Sequence, residues 1–174
     1  MSVPIVVVQH MPPMFTRMLA ERIDALGLRV RCREAADGET LCPGVVYIAP
    51  GGRHLVVDRK GVAGYIAKIS DLPPENSCKP AVDVLFRSAS QAGGSVLAVV
   101  LTGMGQDGLR GCEHLSETGA RIIVQDQQSS VVWGMPGAVA QAGLADEVLP
   151  LALIPEAIER SLRGCMAESE KGKP

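Results

Sequence analysis

The chain has 174 residues, a formal net charge of −2 and 47% hydrophobic residues, with only two Phe, two Tyr and one Trp. That length suits one domain with a sizeable aliphatic core, while interspersed charges and scarce stacking aromatics argue against nucleic-acid binding. No apolar run reaches the length of a membrane span, and MSVPIVVVQH lacks the basic region and cleavage site of a secretory signal. The cysteines Cys32, Cys42, Cys78, Cys112 and Cys165 are widely spaced and form no C-x-x-C pair. Neither a zinc site nor a disulfide framework is indicated, so a reduced, cytoplasmic chain without metal is expected.

In chain order, VPIVVVQH reads as a buried strand ending at His10. FTRMLAERIDAL follows as a helix with an apolar stripe at Phe15, Leu19, Ile23 and Leu26, closed by Gly27. LRVRCREA alternates and predicts a second strand, with a turn at Asp37-Gly38. GVVYIAP, HLVVD and GYIAKI are short strands separated by turn residues, and predict an antiparallel hairpin or ribbon appended to the main sheet. DLPPENSCKP reads as an exposed loop, and AVDVLFRSASQA as a helix closed by Gly93-Gly94. SVLAVV is a buried strand, LRGCEHLSETG a helix, RIIVQD a strand, and MPGAVAQAG a helix with Pro136 in its first turn. DEVLPL is a short strand, PEAIERSLRG a closing helix, and the charged ESEKGKP a tail. The expected fold is α/β: a doubly wound, mostly parallel, Rossmann-like three-layer sheet with an appended hairpin. One domain is expected over residues 1–164, with a disordered tail at 165–174.

Chemistry concentrates in LTGMGQDG, a glycine-rich turn between a buried strand and a helix. Such turns lie at the carboxyl end of a parallel sheet, where α/β proteins place their sites. Gly103, Gly105 and Gly108 match G-x-G-x-x-G, and Asp126 follows at the roughly 20-residue spacing of an acid that binds a ribose hydroxyl. Asp107 argues against a dinucleotide, because it sets a full negative charge where the pyrophosphate would sit. An acid that orients a catalytic histidine gains from the same helix N-terminus. A third reading is a tight turn in which Asp107 merely caps the next helix. His54 and His114 read as surface or locally hydrogen-bonded residues. Trp133 reads either as a cleft wall or as filler between sheet and helix.

QHMPPMFTRMLAERI, DGETLCPGVVYIAPGGRHL, AVDVLFRSA, LTGMGQDG and VVWGMPGAV occur in that order. Together they resemble the catalytic domain of the chemotaxis protein-glutamate methylesterases, the CheB family, from about Val3 to about Arg163. The resemblance implies hydrolysis of glutamate methyl esters and deamidation of glutamines on methyl-accepting chemotaxis receptors, at their cytoplasmic helical region, without a cofactor. It implies His10 as general base and Asp107 as the residue holding its tautomer. It also implies that Met104, between Gly103 and Gly105, offers its backbone N–H to the oxyanion. A histidine and an aspartate after two parallel strands are what taking a proton from a hydroxyl requires.

The family's nucleophilic serine lies in an S-T-G-G turn upstream of the histidine, and only nine residues precede His10 here. Ser2 has no matching glycines. Ser88, Ser90, Ser129 and Ser130 lack the sharp turn that exposes a nucleophile, and are expected to be structural. The family's first strand is thus expected to be absent, leaving IVVVQ without one neighbour and the chain marginal as a monomer. Ala81 stands where the family usually has serine, which removes an N-cap. The alternative function is a catalytically inert receptor-binding module.

Overall fold

In a computed structural model the described residues are 2–61 and 64–171, with side chains described as far as residue 163. The chain forms two compact units, Met1–Gly93 and Gly94–Pro174.

The first unit is built on a parallel sheet in the order β1-β3-β2, from β1 (Ile5–Val7), β2 (Arg31–Glu34) and β3 (Val45–Ile48). β3 is therefore the central parallel strand and not part of the expected ribbon. Its run VVYI lets it be buried on both faces, as a central strand must be. Alternation along the strands divides their side chains. Val7, Val46 and Ile48 meet Ala20, Ile23 and Cys32, on the side of helix α1 (Pro13–Asp24). Val6, Val8, Val45 and Tyr47 face Leu55, Ala67 and Leu85, on the side of an antiparallel hairpin and a second helix. The hairpin is β4 (His54–Lys60) paired with β5 (Gly64–Ser70), and the helix is α2 (Val82–Ala92).

The buried side of α1 differs from the expected stripe. Thr16 and Ala20 are buried, whereas Phe15 and Leu26 are exposed. Polar pairing turned the helix: the Thr16 hydroxyl lies 2.7 Å from Glu34 Oε1 and accepts the Gly51 N–H at 3.0 Å. Small Ala20 then lets α1 approach Cys32 and Ile48 closely. His54 is not a surface residue. It is fully buried, its Nδ1 accepts the Ala81 N–H at 3.2 Å, and its Nε2–H therefore donates to the Pro73 carbonyl at 3.0 Å.

The second unit carries a parallel sheet in the order β6-β7-β8, from β6 (Leu97–Val100), β7 (Arg121–Gln125) and β8 (Glu147–Leu149). Leu97, Val99, Ile123 and Leu149 pack on Ile154 and Ala157 of helix α5 (Ile154–Lys171). Helices α3 (Leu109–Glu117) and α4 (Met135–Gln141) also lie against β7. α5 takes in residues 165–171 of the expected tail, because Met, Ala, Glu and Lys favour helix. Residues 172–174 lie outside the described residues. Among the described residues no strand pairs with the outer edge of β1 or of β6. The α/β class, the parallel pairing and the appended hairpin are as expected, with the parallel strands divided between two sheets.

Two stability outcomes follow. Ala81 is the N-cap of α2 and supplies no side-chain cap. Ala81→Ser is expected to add about 1 kcal/mol and raise Tm by about 2–4 °C in thermal denaturation; an unchanged or lower Tm would refute the missing cap. Glu147 accepts hydrogen bonds from Arg121 and Arg160, and these hold its carboxyl below the usual range. A carboxyl depressed in the folded state stabilises above its unfolded pKa, and that stabilisation is lost as pH falls through the folded value. The Tm difference between the chain and Glu147→Gln is expected to be widest near neutrality and to shrink below about pH 4.

Candidate active site

His10 follows β1 on a tight three-residue turn closed by the Met11 N–H on the Gln9 carbonyl at 2.8 Å, and it is exposed. The next residues are held from the YIAPGG turn. A Cβ at Gly51 would lie 2.5 Å from both the Pro12 carbonyl carbon and the Pro13 nitrogen, closer than any side chain permits. With Gly51 N–H on Thr16, this makes QHMPP and APGG one packed unit.

The turn after β6 is built in the same manner, largely from backbone. Gly103 forms a parallel bridge with Trp133; its N–H donates to the Val132 carbonyl at 3.1 Å. Its carbonyl accepts the N–H groups of Gly134 at 3.1 Å and Met135 at 2.8 Å. A Cβ on Gly134 would stand 2.7 Å from the Gly103 carbonyl oxygen and 2.9 Å from the Gly105 nitrogen. Gly105, at φ 84, and Gly108, at φ 97, adopt the left-handed conformation that glycine tolerates. Gly108 is itself the N-cap of α3, so Asp107 is not the cap residue; Asp107 lies just ahead of it and is 2% exposed. The Met104 side chain is 83% exposed, which leaves any role of this residue in the turn to its backbone.

Gln125 is the residue that sequence reasoning missed. It is fully buried at the end of β7; its Oε1 accepts the Thr102 N–H at 2.8 Å and its Nε2 donates to the Ser129 carbonyl at 2.8 Å. It thereby joins the LTGMG turn to the loop after β7. The visible signal is an amide closing the apolar run RIIV. Trp133 donates its indole N–H to the Gln125 carbonyl at 3.3 Å, and its ring occupies the space a Cβ on Gly137 would enter at 2.9 Å. It therefore fills against α4. Asp126 accepts from the Ser129 N–H at 2.9 Å and hydroxyl at 2.6 Å, an internal turn rather than a ribose contact.

The serines considered as substitutes are all engaged. Ser88 donates to the Leu85 carbonyl and accepts the Val57 N–H; Ser90 donates to the Arg87 carbonyl. Ser129 donates to Asp126 and accepts from the Leu151 N–H, while Ser130 donates to the Asp126 carbonyl. Of the expected site residues, Gly103, Met104, Gly105 and Asp107 share one turn of the second unit, and His10 belongs to the first.

Polar residues carried on turns after parallel strands define an α/β chain of the kind whose site lies at the strands' carboxyl ends. The chain belongs to the CheB methylesterase family, whose model matches residues 1–158. The protein-glutamate methylesterase/protein-glutamine glutaminase of Trichodesmium erythraeum (strain IMS101) is 54% identical over 161 residues, covering 92% of this chain and 45% of that protein. The protein of the same name from Maricaulis maris (strain MCS10) is 52% identical over 162 residues, covering 92% and 40%. The chain thus spans less than half the length of these curated relatives. The crystal structure of the Thermotoga maritima CheB methylesterase catalytic domain superposes with a TM-score of 0.84 at 42% identity, covering 88% of this chain and 81% of that one. Among the described residues no helix is long and apolar enough to cross a membrane.

The glycine contacts give a test in urea unfolding. Gly134→Ala meets backbone and is expected to cost about 3 kcal/mol. Gly105→Ala meets nothing within 4 Å and carries only its positive φ, so about 1 kcal/mol is expected. Equal costs would sink the close-approach account.

Proposed function

We propose that this chain serves the hydrolysis of glutamate methyl esters, and the deamidation of glutamines, on methyl-accepting chemotaxis receptors in the cytoplasm. His10 is the general base, Asp107 orients it, and the Met104 N–H, between Gly103 and Gly105, stabilises the oxyanion. The observation that carries this reading is the match over residues 1–158 to CheB methylesterase, with QHMP and LTGMGQDG each following a parallel strand. The relatives' names supply the reaction, and the resemblance supplies the roles.

The chemistry is acyl transfer. A serine hydroxyl attacks the ester carbonyl while His10 takes its proton, and backbone N–H donors meet the negative oxygen that develops. Collapse breaks the C–O bond to the methyl group's oxygen, and His10 returns the proton so that methanol leaves. Water then repeats the sequence, releasing glutamate and restoring the serine. Asp107 holds the imidazole in the tautomer that leaves its other nitrogen able to accept. Because Ser88, Ser90, Ser129 and Ser130 are engaged within the fold, the nucleophile is assigned to none of them. The nucleophile in this reaction is a serine of the family's S-T-G-G type.

The test is methanol release from methylated receptor by this chain and by the same chain extended with a strand, an S-T-G-G turn and a helix. Turnover is expected in the extended form alone, and Asp107→Asn in that form is expected to lower kcat by about 10⁴. His10→Gln is expected to abolish turnover to a similar or greater degree. Turnover by the chain as it stands would overturn the serine assignment. A folded, receptor-binding but inert extended form would favour the binding module instead.

A further inference from the structure

Within the first unit the loop between β5 and α2 presents a thiol to His10. Glu75 and Cys78 exchange backbone hydrogen bonds at 3.1 and 2.8 Å around Asn76 and Ser77, whose φ values are 52° and 62°. Two left-handed residues in succession make a tight reversed turn, which non-glycine residues hold only when braced. The braces are present: Arg87 grips the Glu75 carboxylate through both terminal nitrogens, at 3.0 and 2.6 Å, and Asn76 Nδ2 donates to the buried Asp83 at 2.6 Å. Beyond the turn, the Lys79 carbonyl accepts the Gly52 N–H at 3.0 Å. That contact ties the loop to the APGG turn, which in turn packs on the residues after His10. The outcome is a ring nitrogen of His10 and the Cys78 sulfur within 4.8 Å of each other, each set by its own braced turn.

A thiolate is the reactive form of cysteine, and an adjacent imidazole both accepts the thiol proton and stabilises the anion as imidazolium. The other described thiols lack this arrangement. Cys32 and Cys112 are buried, and burial pushes the Cys32 thiol up. Cys42 is exposed, and its thiol donates to the Thr40 carbonyl at 3.6 Å.

We propose that Cys78 is a covalent modification site for small electrophiles, activated by His10. The Cys78 sulfur displaces the leaving group, its proton passes to the His10 ring and on to solvent, and the adduct remains beside the imidazole. With iodoacetamide an S–C bond forms, the C–I bond breaks, and iodide leaves. The consequence for turnover, obstruction of the base, rests on the function proposed above; the reactivity itself does not, so the two can fail separately.

The experiment is limited labelling of the full chain with iodoacetamide at neutral pH, followed by peptide mapping. Cys78 is expected to react about tenfold faster than Cys42, and in His10→Gln its rate is expected to fall to within about twofold of Cys42. Protection of Cys32 and Cys112 reports that each variant is folded. A Cys78 no faster than Cys42 in the unmodified chain overturns the proposal, as does an undiminished Cys78 rate in a folded His10→Gln. Should that variant expose Cys32, His10→Asn replaces it. Should both variants unfold, the ratio in the unmodified chain decides.

Discussion

The close approach of two stretches of backbone, 103–105 and 132–135, is the contact on which the second unit's site turn depends. Three hydrogen bonds run between them, and the remaining gap is too small for a methyl group at Gly134. Side-chain packing tolerates substitution by repacking, whereas backbone against backbone has only glycine as a solution. The turn's geometry is therefore set by atoms every residue possesses, with Gln125 spanning the rest. Asp107 and Met104 inherit their places from that frame.

The first unit uses the same device with different partners. Gly51 lies against Pro12 and Pro13 as Gly134 lies against Gly103, and a buried polar group completes each junction: Thr16 in one, Gln125 in the other. Burying polar atoms is costly unless each finds a partner. Among the described residues no buried side-chain nitrogen or oxygen lacks one. His54, with one ring nitrogen accepting and the other donating, belongs to the same set of satisfied interior groups.

Most of this architecture could be read from the residues. Runs such as LAVV and RIIV have the length and branching of doubly buried strands, and Gly27, Gly93 and Gly119 mark helix ends by their positive φ. Motif order located the turns bearing His10 and Asp107. What could not be read depended on partners distant in sequence. The period of FTRMLAERIDAL pointed to Phe15, but Glu34 and Gly51 drew Thr16 inward instead. β3 resembled its hairpin neighbours because a central parallel strand and a buried hairpin strand share composition, and only pairing separates them. Gln125 and Cys78 carried no motif; their significance lies in what stands beside them.

Because the 103–108 turn is secured through glycines and backbone, the side chain at Met104 has no structural duty and projects 83% exposed. Backbone direction and surface character are thereby decoupled at this position. Bulk, polarity or charge can be exchanged at residue 104 while the backbone beside it keeps its path, so the rim of the turn can change as its frame stays constant.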